Sequence, residues 1–268
     1  GQVNVLVGTH ALFEEKVIFN DLGLVIIDEQ HRFGVSQRNR LLKKGENAHL
    51  LSMTATPIPR TLALSIYGDL DVSQITELPP GRLPVITKIV SENKLSELFN
   101  IIEKEIEMGK QAYVILPLIE ESEKLNLNSA INIYKQLSEK TFKQFNVGLL
   151  HGKLHPNDKN EILSLFSENK INILVSTTVI EVGIDVPNAS IMVIYNSERF
   201  GLSQLHQLRG RVGRDSYQSF CYLITSDNNV LTNKRLDVLQ KSNDGFYVAE
   251  KDLELRGPGQ ILGYKQSG

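Results

Sequence analysis

Along this chain, short uninterrupted apolar runs alternate with longer stretches in which apolar residues recur every three or four positions. The first kind reads as strands buried in a parallel sheet, the second as helices covering it. Leu24-Val25-Ile26-Ile27 is the clearest run, and its length and β-branched content predict a strand buried on both faces. Further strands are expected over residues 48–53, 85–90, 112–116, 147–150, 171–176, 191–195 and 220–224. Val3-Asn4-Val5-Leu6-Val7 also reads as a buried strand, with Gly8-Thr9-His10 as its loop. Helices are expected over 37–44, after Pro59, and over 94–108, 131–141, 157–166 and 204–208, with a polar loop insertion at 119–129. Regular alternation of this kind predicts an α/β class with parallel sheets.

Pro79-Pro80-Gly81-Arg82-Leu83-Pro84 interrupts the alternation and is the best linker candidate. It divides the chain into residues 1–80, a second α/β unit at 81–226, and a tail at 227–268. The tail has helical spacing at Leu231, Leu236, Val238 and Leu239 but no sheet of its own, and reads as a helical appendage. A domain rarely begins within a sheet, so the strand at residues 3–7 predicts a first unit that continues upstream.

Composition narrows the classes. In 268 residues, 41% are hydrophobic and 22% charged, which suits a globular protein and excludes disordered and fibrous ones. The net charge of -2 excludes a uniformly basic nucleic-acid coat while leaving room for a local arginine patch. A lone cysteine, Cys221, lies in an apolar run, so no intrachain disulfide is possible and a reducing, cytoplasmic setting is expected. No signal peptide or membrane-length apolar run is found.

Four stretches carry candidate chemistry. Asp28-Glu29-Gln30-His31 ends the Leu24 run, and carboxylates at the C-terminal edge of a parallel strand are placed as in a Walker-B box, with Asp28 holding Mg²⁺ and Glu29 activating water. Two acids alone equally describe a solvated loop start. Thr54-Ala55-Thr56-Pro57 ends a strand two positions along the sheet, where its hydroxyls can bond a carboxylate or His31; a simple Thr-Pro turn is the alternative. Between Thr177 and Pro187, hydroxyls suit nucleic-acid phosphates and Asp185 suits a ribose, against a hydroxyl-rich loop with a buried Asp cap. Gln207-Leu208-Arg209-Gly210-Arg211-Val212-Gly213-Arg214 interleaves three arginines with glycines, which excludes a core position. Arg211 and Arg214 there suit bidentate contact with a γ-phosphate. His151 and His155 have the spacing of a zinc pair, but Gly152 and Pro156 break the helix such a pair needs. His151-Gly152, with Lys153 adding charge, reads instead as a nucleic-acid backbone contact or a turn.

Together these stretches resemble, in order, the two-lobed motor of superfamily 2 helicases. Asp28-Glu29-Gln30-His31-Arg32-Phe33-Gly34-Val35, Met53-Thr54-Ala55-Thr56-Pro57-Ile58-Pro59-Arg60-Thr61, Ser242-Asn243-Asp244-Gly245-Phe246 and Asp252-Leu253-Glu254-Leu255-Arg256-Gly257-Pro258-Gly259 resemble the RecG family of branch-migration helicases. The transcription-repair coupling translocases share the tail, but His31 and Pro258 favour RecG. The resemblance implies part of a first RecA-like lobe, a complete second one, and a helical-hairpin tail that pushes on duplex DNA. It implies ATP and Mg²⁺ as cofactors, with Asp28, Gly183, Asp185, Gln207, Arg211 and Arg214 at the nucleotide and Glu29 and His31 in catalysis. Thr9, Thr54, Thr56, His151, Gly152, Thr178, Arg256, Gly257 and Gln260 become nucleic-acid or coupling residues. The implied partner is branched double-stranded DNA, remodelled in repair and recombination by a monomer associated with the bacterial nucleoid.

No Gly-x-x-x-x-Gly-Lys-Ser/Thr occurs in the chain, and Gly109-Lys110-Gln111 lacks the upstream glycine and the hydroxyl. The expectation is therefore that a P-loop and a wedge domain lie upstream, and that this stretch alone does not hydrolyse ATP. The rival readings are a non-hydrolysing nucleic-acid-binding or regulatory module on a degenerate motor, a transcription-repair coupling translocase, and an RNA-unwinding enzyme.

Overall fold

A computed structural model describes residues 3–29, 33–55, 71–75, 77, 79–118, 123–177, 186–226 and 230–256. They form two compact units, one within residues 3–55 and one within residues 71–256. His31, Thr56, the helix expected after Pro59, Thr178, Gly183, Asp185, Gly257, Pro258 and Gln260 lie outside the described residues; Arg256 closes a helix, but its side chain is likewise outside them.

In the first unit, strand β1 (Leu24–Ile27) pairs in parallel with β2 (His49–Ser52), Leu24 opposite His49 and Ile27 opposite Ser52. Helix α1 (Val35–Leu42) connects them. Val25, Ile27 and Leu41 are buried against Leu12, Phe13, Phe19 and Phe33. The other sheet face is open: Leu24 and Ile26 are 54% and 55% exposed. The expected double-sided burial of β1 is thus corrected to burial on one face, because the described residues place a cover on that face only. Residues 3–8 form no strand, and Val3, Val5 and Val7 are exposed; an extended segment becomes a strand only where a neighbour satisfies its N–H and C=O groups. A further correction concerns β2, which lies directly beside β1 rather than two positions away.

The second unit is a six-stranded, all-parallel sheet. Its strands are β3 (Ile86–Ser91), β4 (Gln111–Leu116), β5 (Val147–Leu150), β6 (Ile173–Thr177), β7 (Ala189–Ile194) and β8 (Phe220–Thr225), in the order β3-β8-β7-β4-β6-β5. Helices α2 (Leu95–Glu107) and α3 (Glu123–Gln136) cover one face through Leu98, Ile102, Ile106 and Ala130, packed on Ala112, Val114, Val175 and Val193. On the other face, α4 (Pro156–Ser167), α5 (Leu202–Arg209), α6 (Val230–Lys241) and α7 (Gly245–Arg256) bring Phe166, Leu205, Leu236 and Val248 onto Ile115, Leu174, Met192 and Leu223. The central strands β4 and β7 are buried along their whole length, as a parallel sheet covered on both faces requires.

The polar insertion expected at 119–129 is also corrected. Helix α3 begins at Glu123 and runs into a π turn at Leu137–Thr141. From Ala130 onward an apolar stripe of Ala130, Ile133, Tyr134 and Leu137 meets the core. Helices α6 and α7 form the expected helical appendage on α5 and β3.

Candidate functional site

The acidic box is built by the end of β1. The Met53 amide donates to the Ile27 carbonyl at 2.8 Å, so the two strands stay paired until Asp28 on one and Thr54 on the other leave the sheet side by side. Asp28 is exposed, and one of its oxygens accepts the Glu29 amide at 2.9 Å. Glu29 is half-buried with φ of 49°, a left-handed conformation that costs a non-glycine residue roughly 1–2 kcal/mol. Strain at such a point turns the carboxylates abruptly away from the strand axis. An exposed aspartate at a parallel strand's C-terminal edge offers hard oxygen ligands of the kind Mg²⁺ takes together with water and phosphate. Thr54 is half-buried, and Thr9 is exposed at the start of a single 3₁₀ turn, His10–Phe13. The phosphate cradle that would complete a nucleotide site has no counterpart in these 268 residues.

In the second unit the candidates divide between the two edges of the sheet. His151 and Gly152 follow β5 at its C-terminal end. Among the described residues the buried Nδ1 of His151 has no hydrogen-bond partner, and burial first, then Lys159 and Lys153, lowers its pKa. Lys159 donates to the Gly152 carbonyl at 2.7 Å, and His155 caps α4 by accepting the Asn157 amide. On β6, whose Ser176 pairs with Leu150, the buried Thr177 hydroxyl is likewise without a partner among the described residues. Among the described residues no cluster of three or more His, Cys, Asp or Glu side chains has metal-binding geometry.

The arginine loop occupies the opposite edge. Helix α5 runs back across the sheet from the end of β7 and delivers residues 210–219 to the strand starts, where the Ile86 amide donates to Ser219 at 3.0 Å. Gln207 and Arg211 are half-buried and Arg214 is exposed. Arg209 departs from the expectation that these arginines lie outside the core: it is 2% exposed. Its guanidinium donates to the Leu239 carbonyl at 2.6 Å, the Ser242 carbonyl at 2.9 Å and the Thr87 hydroxyl at 3.2 Å. Leu239 and Ser242 lie at the C-terminal end of α6, where the helix's last carbonyls have no intrahelical donor and attract positive charge. The neighbouring His206 Nδ1 lies 3.0 Å from Arg209, and its pKa falls to about 4, by burial first and by Arg209 second. A neutral His206 with the proton on Nε2 is the acceptor this contact requires.

Two participants were missed by sequence reasoning. Arg209 continues the stripe of Leu202 and Leu205 on the buried side of α5, and that i, i+3, i+7 placement was its signal. Arg82 sits in the proline-rich stretch that reads as a linker, yet its Nε donates to the Gly213 carbonyl at 2.7 Å.

Comparison with known proteins bears on both units. Residues 93–216 match the helicase conserved C-terminal domain family, and residues 1–64 match the DEAD/DEAH box helicase family. The whole chain is 59% identical to the ATP-dependent DNA helicase RecG of Synechocystis sp., covering 32% of that protein, and 54% identical to RecG of Bacillus subtilis, covering 39%. It therefore spans somewhat over a third or less of the curated relatives it matches. A solved structure of RecG bound to a three-way DNA junction superposes with a TM-score of 0.79 at 48% identity, over 97% of this chain and 34% of that one. Yeast Dbp5 L327V bound to RNA and ADP BeF3 shares the fold alone, with a TM-score of 0.61 at 17% identity, over 89% of this chain and 61% of that one.

Proposed function

We propose that this chain, which belongs to the RecG-type superfamily 2 helicases, is motor machinery of an ATP-dependent translocase that remodels branched double-stranded DNA such as stalled forks and Holliday junctions. The observation that carries the reading is the 48% identity over 97% of the chain to RecG bound to a three-way junction, because it extends across acidic box, arginine loop and hairpin alike. Bound with nucleotide, Mg²⁺ would offset phosphate charge. Asp28 is the residue to hold the ion's oxygen shell, and Glu29, turned off the strand by its left-handed backbone, is the residue to orient water and take its proton. Arg211 and Arg214 provide guanidiniums for developing phosphate charge, with Gln207 beside them on α5. Gly183 and Asp185 are assigned to the nucleotide, and His31 to support of the acidic box.

Thr54 and Thr56 are assigned to coupling. Thr9, His151, Gly152 and Thr178 are assigned to the nucleic-acid backbone, where amides, hydroxyls and an imidazole suit phosphate and sugar rather than base edges. Arg256, Gly257 and Gln260 are assigned to the duplex; the α6–α7 hairpin that precedes Gly257 is tied to α5 by Arg209. The proposed protein works as a cytoplasmic, nucleoid-associated monomer in repair and recombination. The 268 residues alone are proposed not to hydrolyse ATP, since they hold no P-loop, and a wedge region is proposed to supply the grip on branched DNA.

In the full-length protein, Glu29→Gln is expected to abolish DNA-stimulated ATP hydrolysis while sparing fork binding. Turnover within tenfold of the parent would sink the assignment of Glu29. A non-hydrolysing module is the second reading, favoured by the absent P-loop; full-length protein with no ATPase on any branched DNA would establish it.

A further inference from the structure

The stretch that leads into β3 is stitched to the arginine loop at three successive points. Arg82 donates through Nε to the Gly213 carbonyl at 2.7 Å and through Nη2 to the Gly210 carbonyl at 3.4 Å. Two residues on, the Pro84 carbonyl accepts Gln218 Nε2 at 2.9 Å; two further on, the Ile86 amide donates to Ser219 at 3.0 Å. Along extended backbone the main-chain groups of alternate residues point the same way, so the Pro84 carbonyl and the Ile86 amide both meet the loop.

Gly210 and Gly213 bracket Arg211-Val212. The end of α5 explains why an outside donor matters there. The amides of Gly210, Arg211 and Val212 take the carbonyls of His206, Leu208 and Arg209, and there the helical pattern stops. The Gly210 and Gly213 carbonyls lie past the helix end, and the Arg82 fork donates to both. Gly213 has φ of 74°, and a Cβ on it would lie 2.9 Å from Val85 Cγ2, so the loop closes onto the residue next to Pro84 with no room for a side chain. Val85 is itself buried in the core beneath α5. One end of the loop is fixed by Arg209 inside the helix layer, and the other by Arg82.

We propose that Arg82 is a positioning residue for the arginine loop: by holding the carbonyls of Gly210 and Gly213, it makes the proline-rich segment that leads into β3 set the angle at which Arg211 is presented. Displacement of residues 79–84 is transmitted through the Arg82 guanidinium to the backbone on both sides of Arg211. The proposal rests on the reading of Arg211 as a phosphate-gripping residue.

The test uses the full-length protein and a model fork. Arg82→Ala is expected to lower kcat of DNA-stimulated ATP hydrolysis by roughly tenfold to a hundredfold, the scale on which a misplacement of about 1 Å acts. KM for ATP and fork affinity should stay within about twofold. Arg211→Ala is expected to be slower still, and Arg82→Ala/Arg211→Ala no slower than Arg211→Ala alone, because a positioning residue has nothing left to position. Arg82→Lys, which keeps the charge but not the fork, should fall between parent and Arg82→Ala, and it serves if the alanine variant fails to fold. Losses that multiply in the double variant, or parental turnover in Arg82→Ala or Arg82→Lys, overturn the proposal. Parental turnover in Arg211→Ala would instead overturn the reading on which it rests.

Discussion

The acidic box and the arginine loop are held by opposite means. Asp28 leaves a two-stranded sheet whose one apolar face is packed and whose other face shows Leu24 and Ile26 to solvent, and its neighbour Glu29 stands in a left-handed conformation. The arginine loop leaves a helix whose inner side is sealed in a large core, and every turn of it is bonded to something distant in sequence: Arg209 to α6 and β3, Arg82 to Gly210 and Gly213, Gln218 to Pro84. Among the described residues, the carboxylates proposed to gather an ion and a water thus stand on backbone with few long-range bonds, whereas the guanidiniums proposed to meet a phosphate are presented by backbone fixed on both sides. Among the described residues, the bonds that would pre-organise a loop therefore lie in the second unit.

The strongest way to break this contrast is Arg209→Ala. The substitution removes a buried cation and strands the Leu239 and Ser242 carbonyls, each of which costs about 1–3 kcal/mol when left dry. A loss of about 2–4 kcal/mol in the unfolding of the second unit is expected by urea denaturation, with Arg209→Lys recovering part of it. A loss below about 1 kcal/mol would mean that the loop does not depend on this anchor.

Acid offers a second and slightly smaller probe. His206 is neutral in the fold, with a pKa of about 4, whereas the unfolded chain takes up the proton near the ordinary value of 6.5. Between those values the unfolded state binds more protons, so stability falls as pH drops from 6.5 to 4 and this contribution levels off below 4. At about 1.4 kcal/mol per pH unit the full effect is at most about 3 kcal/mol. Other groups titrate in the same window, so the measurement is the difference in slope between the parent and His206→Gln, which should be the flatter. Equal slopes would remove His206 from the anchor.

How far these arrangements were legible in the sequence depends on what each residue had to reveal. The strands of the second unit are found within a residue or two because uninterrupted apolar runs such as Phe220-Cys221-Tyr222-Leu223-Ile224 have only one home in a covered parallel sheet. The same kind of run misled at Leu24–Ile27, since a sequence records that residues are apolar but not whether both faces find a cover. The positions of Asp28 and Glu29 at a strand end, and of Arg211 and Arg214 past a helix end, were legible from the runs that precede them. Arg209 was not, because arginine reads as surface unless its place on the Leu202–Leu205 stripe is followed, and Arg82 was hidden by the prolines around it. Long-range bonds to main-chain carbonyls leave no pattern in the chain that makes them.

The smallest effect sharpens the contrast inside the first unit. On β1, Val25 is 4% exposed and Ile26 is 55% exposed, one position apart on the same strand. In the 268-residue chain, Val25→Ala should cost about 1–3 kcal/mol by lost burial and a cavity, while Ile26→Ser should stay within about 0.5 kcal/mol. Hydrogen exchange of the β1 and β2 amides reads both without requiring the larger unit to unfold. If Ile26→Ser opens the sheet as readily as Val25→Ala, then β1 is buried on two faces after all. The acidic box would in that case stand on a scaffold as well covered as that of the arginine loop.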